Sequence, residues 1–92
     1  MLFINVSSSG KSQLKFSNFE GYQLPGPPNG INAEINGDVV LQFEDEDEAV
    51  GYAGQLEDLA NSLSDKSTPR YMAINDIIMS VLNDEFVKSY SR

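Results

Sequence analysis

Glu44, Asp45, Glu46, Asp47 and Glu48 stand in an unbroken row, and Glu57 and Asp58 follow in the same segment, 44–63, EDEDEAVGYAGQLEDLANSL. Carboxylates at close spacing can do three things. A pair can share acid and base work, as in glycoside hydrolysis; a cluster can ligate a hard cation such as calcium or magnesium; a row can present an anionic face to a basic partner. The first needs a second group across a cleft, and nothing in the sequence marks one. The second is met in EF-hands by acids at alternate positions, a central glycine and a distal glutamate. Here the acids are contiguous and open a helix that splays them apart. No metal and no cofactor is therefore expected. The chain has no histidine and no cysteine, which removes imidazole bases, thiolate nucleophiles, zinc ligands and disulfides. An enzyme is not expected.

The third use remains, and the charge is placed for it. All of the net charge of −8 sits in 44–65, which holds eight acids and no base, while the other six acids and six bases cancel. Such a stretch repels nucleic acid and anionic membranes and attracts basic surfaces. A second account is purely structural. Asp45 is a candidate N-cap with Glu48 three residues on, the spacing of a capping box, and carboxylates in a first turn suit the helix dipole. Both accounts require the same helix.

That helix follows from spacing. Ala49, Tyr52, Ala53, Leu56, Leu59, Ala60 and Leu63 recur along one face. Opposite them lie Asp47, Gly51, Gly54 and Asp58, and Glu57 lies roughly 14 Å of rise beyond Glu48 at about 1.5 Å per residue. Thr68 and Pro69 mark the start of a second helix at N-cap and first turn, carrying Tyr71, Met72, Ile74, Ile77, Ile78, Met79, Val81, Leu82 and Phe86. Ahead of both, Leu2, Ile4 and Val6 alternate with polar positions, as do Leu14 and Phe16, and Ser8 to Lys11 supply turn chemistry with Gly10 at the tip. Ser9-Gly10-Lys11-Ser12 looks like the tail of a phosphate-binding loop. However, Asn5 occupies the position of its first glycine and a strand pattern follows, so a hairpin tip is the better account.

A second hairpin is expected from Ile31, Ala33 and Ile35 and from Val39, Leu41 and Phe43 around Asn36-Gly37. A three-residue loop of Asn36, Gly37 and Asp38 puts all six on one face, which a two-residue loop does not. Between the hairpins, 17–30 holds three prolines and three glycines and reads as a long loop containing Phe19, Tyr22 and Leu24. Those side chains either fold back over the core rim or form an exposed aromatic contact site.

The expected fold is α+β in one domain, 1–92: a four-stranded antiparallel sheet of two hairpins in chain order, with two C-terminal helices on one face. The other sheet face, with Phe3, Asn5, Lys15, Asn32, Glu34, Val40 and Gln42, is expected to be mostly polar and open. No apolar run reaches the length of a membrane span, so a soluble cytoplasmic protein is expected, as a monomer or small homo-oligomer.

Small size, the EDEDE run and the Glu57-Asp58 pair make the chain resemble the compact inhibitors of phages and mobile elements, including anti-CRISPR proteins and DNA mimics. The resemblance covers about the second half of the chain and involves no specific motif. It implies a non-enzymatic binder, in the host cytoplasm if phage-encoded, that occupies the basic groove of a nucleic-acid-handling protein and does not itself bind nucleic acid. Glu44, Asp45, Glu46, Asp47, Glu48, Glu57 and Asp58 would then make the electrostatic contact, with Phe19 and Tyr22 as an apolar anchor. The alternative is an immunity protein or intracellular adaptor that binds through the aromatic 17–30 loop or the open sheet face.

Overall fold

The computed structural model describes residues 2–6, 19, 21–33 and 39–90, with the backbone alone for 31–33 and 90. In chain order its elements are β1 (Leu2–Asn5), β2 (Ile31–Ala33), β3 (Val39–Phe43), α1 (Glu46–Ser62), α2 (Pro69–Leu82) and α3 (Glu85–Tyr90). The protein is α+β, but its architecture is not the expected one. Among the described residues the sheet has three strands in the order β1-β3-β2, and three helices follow instead of two.

β3 is the centre of the sheet. Its sequence, VVLQF, is the most apolar of the three strands, and a strand buried on both sides is built from such continuous runs. β1 pairs antiparallel with it, Leu2 opposite Phe43 and Ile4 opposite Leu41, and beyond the strand the Val6 N–H donates to the Val39 carbonyl at 2.8 Å. Leu2, Ile4 and Val6 thus lie beside Phe43, Leu41 and Val39 in one apolar layer. That match is the physical reason for the departure from chain order: β1 finds on β3 a partner buried along the same face. The second strand expected around Leu14 and Phe16, its Gly10 tip and the turn expected at Asn36, Gly37 and Asp38 lie outside the described residues.

β2 also runs antiparallel to β3, with Ile31 opposite Leu41 and Ala33 opposite Val39. The three-residue turn would have opposed Ala33 to Leu41. The observed pairing is displaced by two residues, which preserves the face on which each residue sits because the side-chain period of a strand is two. The outer face of the sheet is less open than expected. Phe3 and Asn5 are exposed, but Val40, on the side opposite Val39, is buried.

The helices cover the other face. α1 packs chiefly on α2 and also touches α3 and β3, while α2 reaches β1. α1 buries Ala49, Tyr52, Ala53, Leu56 and Ala60, with Leu59 and Leu63 half-buried. The Thr68 hydroxyl accepts from the Tyr71 N–H at 3.2 Å with Pro69 in the first turn, as the cap signal requires. The second helix is shorter and its buried stripe narrower than expected: Ala73, Ile74, Ile77, Ile78 and Val81 face inward, whereas Met72 and Met79 point out. α2 ends at Leu82. Asp84 then caps α3, its Oδ1 accepting from the N–H groups of Phe86 at 3.0 Å and Val87 at 3.3 Å. The break rotates the last turn so that Val87 is fully buried and Phe86 is 60% exposed.

Tyr52 ties the helical layer to the loop before β2. Its hydroxyl donates to the Pro25 carbonyl at 2.6 Å, and its ring lies 5.6 Å from that of Phe43. Burial pushes this phenol well above its ordinary value. The unfolded chain ionises Tyr52 near pH 10 while the folded chain keeps it protonated, so stability falls as pH rises above about 10. Tyr52→Phe is expected to cost about 1 kcal/mol at neutral pH through the lost hydrogen bond. It should also make the alkaline decline shallower, which urea denaturation across a pH series measures.

Candidate interaction surface

β3 ends at the fully buried Phe43 and the acidic row starts at the next residue, so the core fixes where the carboxylates begin. Asp45 is the N-cap. Its backbone is extended and its Oδ1 accepts from the Glu48 N–H at 3.0 Å. The reciprocal half of the box is displaced by one residue: Glu48 Oε1 accepts from the Glu44 N–H at 2.9 Å and not from that of Asp45. The same oxygen accepts from Asn29 Nδ2 at 2.6 Å. Glu48 is therefore half-buried and holds the loop before β2 against the start of α1. Its part in the acidic face is structural.

The remaining acids face outward. Glu44, Asp45, Asp47, Glu57 and Asp58 are exposed and Glu46 is half-exposed. Three acids occupy the first turn of α1 and no base occupies its last turn. Five of the seven acids named from sequence, Glu46, Asp47, Glu48, Glu57 and Asp58, thus lie within α1, while Asp45 caps it and Glu44 immediately precedes the cap. Gly51 and Gly54 lie between the two groups of acids, and a Cβ built on either meets no atom within 4 Å. Nothing in the fold requires glycine there. Gly51→Ala and Gly54→Ala are each expected to stabilise the isolated protein by about 1 kcal/mol, read as a higher thermal midpoint.

Phe19 and Tyr22 do not join this surface. Phe19 is 6% exposed and belongs to the core, Leu24 is buried beside it, and Tyr22 packs half-buried against the same cluster. The Leu24 N–H donates to the Phe19 carbonyl at 2.9 Å. Gln23, at φ 56°, adopts the left-handed conformation that turns the chain from Tyr22 back to Leu24. Of the two uses weighed for this loop, the side chains take the first: they close over the core.

An aromatic ring beside the acids comes instead from α3. Leu2, Glu44, Asp45, Glu46 and Phe86 line a hollow of about 310 Å³. Three of these residues are acidic and two are apolar, a combination suited to a lysine or arginine side chain, whose stem is apolar and whose head is charged. Sequence periodicity assigns Phe86 to the buried arc of the second helix. The signal that moves it out is Asp84, an N-cap type three residues before Val87.

Elsewhere, Asp65 accepts from the hydroxyl of Ser67 at 2.7 Å and from its N–H at 2.9 Å, and these bonds hold its carboxyl below the usual range. This is an Asx-type turn leading to α2. Among the described residues no group of three ligand-type side chains converges as a metal site would require, and no helix is long and apolar enough to cross a membrane. Compared with protein-family models, curated proteins and solved structures, the chain matches none of them.

Proposed function

We propose that the chain is a non-enzymatic, protein-binding inhibitor, of the kind that anti-CRISPR proteins represent, acting in the cytoplasm as a monomer or small homo-oligomer. It occupies the basic groove of a nucleic-acid-handling protein with the outer face of α1. The observation that carries the reading is the outward acidic row of a well-capped helix, flanked by Glu57 and Asp58, with the whole net charge concentrated in that region. A basic groove built for phosphates recognises closely spaced anions irrespective of their chemistry. Glu44, Asp45, Glu46, Asp47, Glu57 and Asp58 make the contact, and Phe86 supplies the apolar anchor in place of Phe19 and Tyr22.

Capture of partners from a nuclease-treated host lysate at low and at high salt tests this reading. A nucleic-acid-binding protein retained at low salt and released at high salt is expected, because salt screens exposed charge contacts. Phe86→Ala should weaken its retention. A partner that persists at high salt and is lost with Phe3→Ala would transfer the function to the outer sheet face, where Phe3 is 56% exposed. The two alanine substitutions in α1 add a second reading of the same surface: if a partner approaches Gly51 and Gly54 closely, the chain they stabilise binds less well.

A further inference from the structure

Asn29 is followed by Gly30, whose N–H donates to the Pro27 carbonyl at 3.1 Å and closes a turn around Pro28 and Asn29. Gly30 has φ +90° and is exposed, and a Cβ built there would meet nothing within 4 Å. Its nitrogen is the backbone nucleophile next in the chain to the Asn29 carboxamide, and no side chain at Gly30 crowds the approach. Both reacting groups are restrained, Gly30 by Pro27 and the amide by its 2.6 Å bond to Glu48.

We propose that Asn29 is a site of spontaneous deamidation, gated by the bond to Glu48, and that its product releases the loop before β2 from α1. Hydroxide removes the Gly30 amide proton, and the nitrogen attacks Cγ of Asn29. The new C–N bond forms as the Cγ–Nδ2 bond breaks, and the amide leaves as ammonia, taking up a proton from water. Water then opens the cyclic imide at either carbonyl, giving aspartate or isoaspartate. The balance is amide plus water to acid plus ammonia, with no oxidant or reductant.

The product has no donor to offer Glu48. Where Nδ2 supplied a hydrogen bond there is a second carboxylate, and two like charges at that spacing repel. The Tyr52 bond to Pro25 is then the remaining side-chain hydrogen bond from α1 to this loop, while the Gly30 carbonyl still accepts from the Gln42 N–H of β3 at 3.3 Å. A clamp becomes a repulsive pair, and the acidic end of α1 gains one more negative charge.

The test is to incubate the full chain in mildly alkaline buffer and digest it with a glutamate-specific protease. Cleavage after Glu20 and Glu34 separates Asn29 from Asn36, which also precedes a glycine. The 21–34 peptide is expected to gain the mass of an amide-to-acid conversion. Conversion should be on the order of tenfold faster in Glu48→Ala, the size expected from losing one hydrogen bond to a charged group. Independently, Asn29→Asp should raise amide hydrogen exchange in 21–30 while leaving α2 unchanged. Equal conversion rates in wild type and a folded Glu48→Ala would overturn the gating, and no conversion in either while the urea-unfolded chain converts would overturn the site. If Glu48→Ala does not fold, Asn29→Asp decides: wild-type exchange in 21–30 would refute the release.

Discussion

Phe43→Ala is expected to lower the midpoint of thermal unfolding by about 20 °C, followed by far-ultraviolet circular dichroism. The ring is fully buried, sits 5.6 Å from that of Tyr52 at an interplanar angle of 48°, and lies opposite Leu2 on β1. Truncating a buried Phe to Ala costs about 3–5 kcal/mol in transfer and cavity terms together. A domain of this size shifts by roughly 4–8 °C per kcal/mol. Total stability is on the order of 5–15 kcal/mol, so this one change removes a large fraction of it. Phe43→Leu keeps most of the apolar volume and should cost about 1 kcal/mol. The two substitutions together separate the cavity from the mere loss of an aromatic ring. A drop of only a few degrees with alanine would mean that the Phe43–Tyr52 contact does not join the sheet to the helices. Because the acidic row starts at the next residue, the same joint sets the position of the candidate binding surface.

Local features of this fold were legible in the sequence, and non-local ones were not. Asp45 and Thr68 cap helices because a cap is decided within four residues, and the stripe of Ala49, Tyr52, Ala53, Leu56 and Ala60 follows from periodicity alone. The pairing of β1 with β3 depends on residues some forty positions apart in the chain, where loop-closure entropy is paid before any contact is made. Alternation shows that both are strands but not which strand lies next to which. Met72, Met79 and Phe86 illustrate a different limit. Apolar character marks them as candidates for the core, yet the arc of α2 is wider than the surface it covers, and only the helix break at Asp84 decides between Phe86 and Val87. Within the candidate site, the acidic row on the start of α1 was readable as such. The second use of Glu48 was not, since its partner Asn29 comes from a loop 19 residues earlier. Phe19 and Tyr22 fit either use from sequence because a loop without periodicity does not show which side chains it buries.

Reversing Asp47 and Asp58 together to lysine is expected to weaken partner binding by about a hundredfold or more at low salt. Close charge pairs across an interface couple by about 1.5 kcal/mol at the low end of measured values. Two of them lost amount to roughly a hundredfold at about 1.4 kcal/mol per decade. Putting lysine against a basic groove adds repulsion, which makes that figure a lower bound. The fold should tolerate the change. Asp58 is exposed, and Asp47 sits in the first turn, where losing a negative charge costs about 0.3–1 kcal/mol of dipole stabilisation. Circular dichroism of the double variant should therefore match that of the wild type. The decisive comparison is with positive charge placed elsewhere. Lysines at Met72, Asn75 and Met79, all exposed on α2, reduce the net charge without touching α1. If they weaken binding as much as the reversal does, only overall charge matters and the α1 surface has no special role. If binding survives the α2 lysines and is lost with the α1 reversal, the carboxylates act through their positions. The association rate should then carry most of the salt dependence, as electrostatic steering requires.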